Sequence, residues 1–251
     1  ITNSTNVNQR TYLYYTTDSS GRQDFYRPRV DQLDGTEPSL DQILKDEPID
    51  PYQWYDLKGY HHMIMYNNNI TYDPVYKALV YNGSNSYTQT PIQQPQAFNN
   101  GGSFEMWYSI NTLTSGQGFL SIVNSPTYLN FYMPGTGSNA GLLRWEVIGN
   151  TSSSYNSIFG TTVHQPGQWY HAVGTFDPVA QTTALYINGK LETSQSGYTN
   201  MPGGNWSSYV TTGNYGGYLN GKMAIARVYN RPLTAQEVAQ NFNAERGRFG
   251  I

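Results

Sequence analysis

Apolar and polar residues alternate along much of this chain, and a period of two predicts β-strands with one buried face. In Leu142–Ile148 the apolar residues Leu143, Trp145 and Val147 alternate with Arg144 and Glu146. We expect the first three to face inwards and the two charged residues to face outwards. Further strands with this kind of pattern are predicted at Ala78–Tyr81, Ser86–Thr88, Ser103–Ile110, Gly118–Val123, Tyr128–Met133, Ser157–Val163 and Met223–Tyr229.

Two neighbouring segments form the clearest hairpin of the sequence. Trp169–Phe176 carries apolar residues on both faces, which favours a strand buried inside a two-sheet protein. Thr182–Asn188 follows after a short polar loop. It ends in Asn188–Gly189, a pair that predicts a two-residue type I′ turn.

Many short strands, turns rich in Gly, Asn and Pro, and very little helix predict the fold class. We expect an all-β protein, a two-sheet antiparallel jelly-roll sandwich with one short C-terminal helix and a mixed N-terminal extension. The start of the helix is well specified. Thr234 and Glu237 form a capping box, and Leu233 and Val238 flank it as a hydrophobic staple. Val238 and Phe242, four residues apart, are expected to hold the helix against the sandwich.

Residues 1–65 differ from the rest, so two domains are predicted, an extension at 1–65 and the sandwich at 66–251. Acidic residues dominate Asp31–Asp50, within which Ser39–Asp46 has the pattern of a short helix. The extension either wraps onto the sandwich or acts as an assembly arm that docks onto a partner subunit. The sequence leaves both alternatives open.

Composition limits the classes of partner. Charged residues make up only 12% of the chain and Tyr occurs 23 times, so Tyr, Asn, Ser, Thr and Gln must supply much of the polar surface. The net charge is −3 with no long basic run, which argues against nucleic acid as a partner. No apolar run is long enough for a membrane-spanning helix, and we expect no membrane insertion. The absence of Cys excludes disulfides and thiolate metal sites.

Three stretches resemble a known family. QWYHAVGTFD and TALYINGK in the hairpin, NGKMAIARVYNRPLTAQEV at Asn220–Val238, and ALVYNGSNSY near residue 80 are similar to motifs of laminin-G-like domains. These domains belong to the concanavalin-A-like lectin and glucanase superfamily. The resemblance implies the sandwich fold. It does not by itself imply one function, because this fold is shared by lectins, hydrolases, adhesion modules and structural proteins.

The closing segment narrows the functional hypothesis. QNFNAERGRFGI, at Gln240–Ile251, resembles the ending of laminin-G-like proteins encoded by tailed phages. That resemblance implies a non-enzymatic virion-exterior structural protein, such as a capsid decoration, tail or fibre component, located on the virion or outside the cell. Its partners would be other virion subunits, or copies of itself, bound through residues 1–65.

Catalysis is not predicted. The glucanases of the superfamily carry their carboxylates in an E-x-D-x-x-E strand, and no such spacing occurs here. Glu105 and Glu146 are single acids on strands and are interpreted as outward-facing solubilising charges. His171 matches the family's strand histidine, which implies a structural, hydrogen-bonded ring. We therefore expect no catalytic residues.

No metal or other cofactor is expected either. His61 and His62 are adjacent and would point in different directions on a strand. Several laminin-G-like domains bind calcium and often have Asp-Glu before the V-R-I-Y motif, whereas this chain has Ala224–Ile225 there. Asp73 and Asp177 are the remaining calcium candidates, and each also fits a turn residue beside a proline.

The long loop Ser194–Leu219 holds the candidate binding residues. Aromatic rings there stand among Gly, Asn and Ser, a composition that suits sugar binding, a wet protein–protein contact or a structural loop. The carbohydrate- or partner-binding candidates are Tyr198, Trp206, Tyr209, Tyr215 and Tyr218. A lectin or adhesin module that attaches to a host or surface glycan is therefore the alternative to the virion structural role.

Overall fold

The computed structural model describes residues 53–54, 63–66, 69–91, 94–124, 127–149, 156–198, 202 and 205–251. They belong to one compact unit, Tyr52–Ile251. Three predictions lie outside the described residues: the helix at Ser39–Asp46, the pair His61–His62 and most of the extension 1–65.

Seventeen strands and one helix are described, with these bounds. The strands are β1 (Gln53–Trp54), β2 (Met63–Tyr66), β3 (Thr71–Asp73), β4 (Ala78–Asn82), β5 (Tyr87–Gln89), β6 (Gln94–Ala97), β7 (Gly102–Ile110), β8 (Gln117–Asn124), β9 (Thr127–Met133), β10 (Leu142–Ile148), β11 (Asn156–Val163), β12 (Trp169–Asp177), β13 (Thr182–Ile187), β14 (Lys190–Ser196), β15 (Asn205–Ser208), β16 (Val210–Thr212) and β17 (Asn220–Tyr229). The helix α1 spans Ala235–Phe249.

Two large sheets form the sandwich. The eight-stranded sheet has the order β1-β2-β5-β16-β8-β9-β10-β11, and the seven-stranded sheet has the order β14-β13-β12-β7-β17-β4-β3. A two-stranded ribbon, β15-β6, accompanies them. Every described pairing is antiparallel. The predicted fold class, a two-sheet antiparallel sandwich with a C-terminal helix, is confirmed.

The main core lies between the sheets and follows the predicted alternation. Leu143, Trp145 and Val147 are each 0% exposed and face this core, as expected. Gly174 is needed opposite them, because a Cβ there would lie 2.3 Å from the Trp145 ring. The Trp145 indole N–H donates to the Thr175 carbonyl oxygen at 3.2 Å. The buried indole therefore has its polar group satisfied.

A second apolar layer covers the outer face of the seven-stranded sheet, beneath α1. Phe249 stacks on Trp107 with ring centroids 4.3 Å apart, and it also contacts Trp169 at 4.6 Å. The two apolar faces of β12 are explained by this arrangement. One face packs against the opposite sheet, and the other packs under the helix.

The turn and cap predictions are also confirmed. Asn188 and Gly189 both have positive φ, at 50° and 77°, as a type I′ turn requires. The Thr234 side chain accepts from the Glu237 backbone N–H, and the Glu237 carboxylate accepts from the Thr234 N–H. Val238, a residue of α1, is 0% exposed.

Candidate functional site

A row of polar residues crosses the outer face of the eight-stranded sheet. Strand register places six of them side by side on neighbouring strands, and the apolar Ile64 on β2 is next in register after the last of them. Their chain neighbours, such as Thr88, Ile122 and Leu129, are buried on the opposite, core-facing side. Because side chains alternate along a strand, the row faces away from the core. The six residues are Gln89, Thr211, Ser121, Asn130, Glu146 and Ser157.

A cleft of about 250 Å³ opens over one end of this row. Gln89, Thr211 and Ser121 belong both to the row and to the lining. Tyrosine rings stand around them, and Tyr209 is 37% exposed. The Tyr87 ring is supported from behind by Tyr66, with centroids 4.8 Å apart and planes 3° from parallel. The lining residues are Tyr87, Gln89, Ser121, Val123, Tyr209, Thr211, Asn214 and Tyr215.

Three of the five predicted binding residues lie around this cleft. Tyr209 and Tyr215 line it. Tyr218 lies in the same loop, where it forms a backbone bridge with Asn214. Burial raises the pKa of the Tyr87 hydroxyl, and the nearby Tyr66 and Tyr218 side chains raise it further. Tyr218 therefore lies close to Tyr87.

The other two predicted residues are placed differently. Tyr198 lies at the edge of the seven-stranded sheet, where its hydroxyl donates to Gln195 and its backbone N–H bonds the Gln181 carbonyl oxygen. Trp206 is a residue of β15, which pairs with β6, and its side chain lies outside the described part of the structure. The structure therefore does not bring all five candidates into one surface.

The sequence reasoning missed most of the cleft, including Tyr87, Gln89, Ser121 and Thr211. Tyr87 and Gln89 are two residues apart on β5, and Ser121 and Val123 are two apart on β8. That alternation marks the outward face of each strand. It does not reveal that β16 brings the two strands together, because the register links residues about 90 to 120 positions apart.

Beyond the cleft, the row continues into a buried charged cluster. Glu146 is 4% exposed, so its interpretation as an outward-facing solubilising charge was wrong. Asn130 donates its amide N–H to the Glu146 carboxylate at 2.6 Å, and Arg144 pairs with the same group at 3.2 Å. The Arg144 guanidinium also lies 4.9 Å from the centre of the Tyr132 ring. Two buried atoms of the cluster, Asn130 Oδ1 and Arg144 Nε, have no hydrogen-bond partner among the described residues.

Glu105 was also interpreted wrongly, since it is 0% exposed, between the seven-stranded sheet and α1. Its carboxylate accepts from Arg227 at 2.7 Å and from the Tyr229 hydroxyl at 2.6 Å. Asn241 of α1 donates at 2.9 Å, and His171 Nε2 lies 3.2 Å away. Burial alone would raise the pKa of Glu105, but the His171 hydrogen bond and the Arg227 charge lower it to about 2. The predicted structural, hydrogen-bonded role of the His171 ring agrees with these contacts.

A family model described as the concanavalin A-like lectin/glucanases superfamily, of the laminin-G type, matches residues 82–239. That match covers more than half of the chain. The protein belongs to this superfamily. The matched region runs from the end of β4 into α1, so it includes the cleft lining and every strand from β5 to β17. Comparison with curated proteins gives no match.

Solved structures with the same fold include toxin binding domains. The botulinum neurotoxin serotype D binding domain superposes with a TM-score of 0.59 at 12% identity, covering 74% of this chain and 47% of that chain. The binding domain of botulinum neurotoxin DC in complex with rat synaptotagmin II gives 0.59 at 14% identity, covering 73% and 46%. The same domain in complex with SialylT gives 0.58 at 13% identity, with the same coverage. This laminin-G-type chain spans about half the length of these proteins, and the likeness shows the fold alone.

In this laminin-G-type sandwich the two calcium candidates act as turn residues. Asp73 accepts the backbone N–H groups of Val75 and Tyr76 and pairs with Lys222 at 2.6 Å. Asp177 accepts the N–H groups two and three residues ahead of it. Within the described ranges, no three His, Asp or Glu side chains are grouped so as to hold a metal ion. In the same ranges, no helix has the length and apolar character needed to cross a membrane.

Proposed function

We propose that this laminin-G-type sandwich binds carbohydrate in the cleft on the outer face of its eight-stranded sheet. The observation that carries the proposal is the combination of tyrosine walls with a floor of hydroxyls and amides. Tyr87, Tyr209 and Tyr215 surround Gln89, Thr211 and Ser121. The cleft, of about 250 Å³, suits a ligand as small as one sugar residue rather than a large cofactor.

This chemistry fits both sides of a sugar ring. A pyranose has apolar C–H faces that pack on aromatic rings, and Tyr adds a hydroxyl at the rim of the ring. The sugar hydroxyls are donors and acceptors at once, as are the Ser and Thr hydroxyls and the Gln and Asn amides of the lining. The sheet holds the floor groups in place, because each belongs to a hydrogen-bonded strand.

We propose binding without catalysis. Glycoside hydrolysis needs two carboxyl groups facing the same bond, and the described lining of the cleft contains none. Glu146 is already bonded to Asn130 and Arg144, and Glu105 lies under α1, on the outer face of the other sheet. Binding domains of botulinum neurotoxin DC, solved in complex with SialylT and with rat synaptotagmin II, contain this fold, which supports a binding role.

Screening the full chain on an array of neutral and acidic glycans tests the proposal, followed by calorimetry on the best ligand. We expect Tyr209→Ala to weaken binding by roughly tenfold, because it removes an aromatic ring whose stacking on the sugar contributes about that much affinity. Tyr72→Ala is the matched control, because Tyr72 is 45% exposed but lies on β3 of the other sheet. Absence of any glycan binding, or equal losses in both variants, would contradict the proposal.

A virion-exterior structural role is the second proposal, with residues 1–65 contacting other virion subunits or copies of the same chain. It is supported by the resemblance of Gln240–Ile251 to phage-encoded laminin-G-like endings. The two proposals are compatible, because a sandwich displayed on a particle is free to bind glycans. The test is mass spectrometry of purified particles, in which a virion component is retained through density-gradient purification. A protein found only in the soluble fraction would rule this role out.

A further inference from the structure

The lining of the cleft carries no charged side chain in the part of the chain that is described. Its polar groups are three tyrosine hydroxyls, two smaller hydroxyls and two amides. Each of these groups can both donate and accept a hydrogen bond. Sugar hydroxyls use both capacities. Carboxylate and sulfate groups only accept, and protein sites usually hold them with Arg or Lys.

Glu146, the charged residue of the described polar row, is neutralised by Arg144. Arg144 and Glu146 lie on the same outer face as the cleft floor, with Arg144 Nη2 3.2 Å from the Glu146 carboxylate. The Arg144 guanidinium is also held against the Tyr132 ring. Arg144 is therefore not a free cation for an acidic ligand, because Glu146 already occupies it.

Asn130 adds an acceptor next to the floor of the cleft. It is 0% exposed and lies in register with Ser121, a lining residue. Its amide N–H donates to Glu146, and no group in the described part of the chain donates to its buried Oδ1. An unpartnered carbonyl oxygen attracts donors and disfavours anions.

We infer that the cleft selects uncharged sugars over acidic ones, and that Glu146 sets this preference by neutralising Arg144. The inference rests on the proposed function and deepens it, since it names the class of glycan. An acidic sugar in this cleft would lose hydration of its carboxylate without meeting a cation of the described lining, a cost that a neutral sugar does not face.

The test uses matched sugars and the full chain. Neutral cello-, manno- and galacto-oligosaccharides are compared by calorimetry with their uronic-acid counterparts, which differ by carboxylates alone. We expect the neutral member of the binding pair to bind roughly tenfold more tightly. Its affinity should not change with salt, because no ion pair forms across the interface.

Glu146→Gln tests the assigned residue. Removing its charge leaves Arg144 uncompensated, so the ratio of acidic to neutral affinity should rise by roughly fivefold. Glu192→Gln is the matched control. That carboxylate bonds the Thr161 and Thr162 backbone N–H groups at the edge of β11, and its loss should leave the ratio unchanged. Melting curves establish that each variant is folded. If Glu146→Gln does not fold, the salt dependence of the sugar affinity of the native chain tests the selectivity instead.

The possible failures are distinct. If neither member of any sugar pair binds, the proposed function fails, and the inference fails with it. If acidic sugars bind as tightly as neutral ones, with an affinity that falls as salt rises, the selectivity is overturned while glycan binding stands. If the preference for neutral sugars is the same in Glu146→Gln as in the native chain, Glu146 is not its source.

Discussion

Glu105 shows how one buried side chain can join two layers of the protein. A carboxylate removed from water is costly unless charges and hydrogen bonds replace the water. Glu105 receives them from β17, through Arg227 and Tyr229, and from α1, through Asn241. The resulting pKa of about 2 means that the group is ionised in the folded protein at neutral pH. The cluster therefore ties α1 to the sheet.

The first prediction concerns acid stability. The pKa of Glu105 is lower in the folded protein than in the unfolded chain, so its contribution is fully present above about pH 5 and is lost as the pH falls towards 2. We expect this group to contribute about 3 kcal/mol to the free energy of unfolding at neutral pH. Glu105→Gln should lower that free energy by a similar amount and flatten the curve between pH 5 and 2, as measured by urea unfolding.

Glu237→Gln is the control for this prediction. The pKa of Glu237 is also lowered to about 2, by its hydrogen bonds to Arg231 and then to Thr234. Its side chain is 34% exposed, however, so solvent screens the pair and the loss should stay below about 1 kcal/mol. Equal losses in the two variants, or an unchanged acid curve in Glu105→Gln, would refute the assigned role.

These carboxylates also show the limit of sequence reasoning at single positions. Alternation correctly places Glu105 and Glu146 away from the core between the sheets. It cannot tell what covers them: Asn241 of α1 is 136 residues from Glu105, and the Asn130 partner of Glu146 lies on the neighbouring strand, 16 residues away. Leu143, Trp145 and Val147 were predictable because facing the core depends only on the local period.

Among the elements, the β13–β14 hairpin and α1 depend on each other. Gly189 completes the type I′ turn with φ of 77°, a conformation that side chains rarely adopt. A Cβ at Gly189 would also lie 2.9 Å from the Phe242 ring of α1. The turn therefore needs a glycine for two reasons, its own backbone and the close approach of the helix.

The second prediction separates these two reasons. Gly189→Ala should destabilise the protein more than Gly197→Ala, by about 1–2 kcal/mol. Gly197 has a similar φ of 84°, but no atom of the described residues lies within 4 Å of its Cβ position. In a Phe242→Ala background the excess should disappear, because the ring that causes the overlap is gone. Denaturant unfolding measures the free energy of unfolding of Gly189→Ala and Gly197→Ala, each with and without Phe242→Ala. An excess that persists without the Phe242 ring would contradict the helix contact.

The elements that the sequence predicted best have local signals. The Asn188–Gly189 pair and the Thr234–Glu237 capping box each lie within four residues, and both were located correctly. The cleft had no such signal, because its floor joins β5, β16 and β8. Tyr209 and Tyr215 were recognised from their aromatic loop. Their partners Tyr87 and Gln89 depended on a sheet order that periodicity does not contain.

At the scale of the whole molecule, the sandwich includes strands from before the predicted division at residue 66. β1 and β2 pair within the eight-stranded sheet, with Met65 in register with Thr88 of β5. Met65 is 8% exposed and packs in the main core, and Tyr66 stacks on Tyr87 beside the cleft. The role predicted for residues 1–65 as an assembly arm stays a prediction.

The last prediction compares two truncated chains. Residues 52–251 keep β1 and β2, so this fragment should unfold at about the same temperature as the full chain. Residues 67–251 lose the buried Met65 and leave β5 as an edge strand. Because burial of one such side chain is worth about 1.5–3 kcal/mol, calorimetry should show melting roughly 5–10 °C lower. Equal melting temperatures for the two fragments would mean that β2 contributes nothing to the sandwich. The region before Tyr66 would then belong wholly to the extension, as the composition of the sequence first indicated.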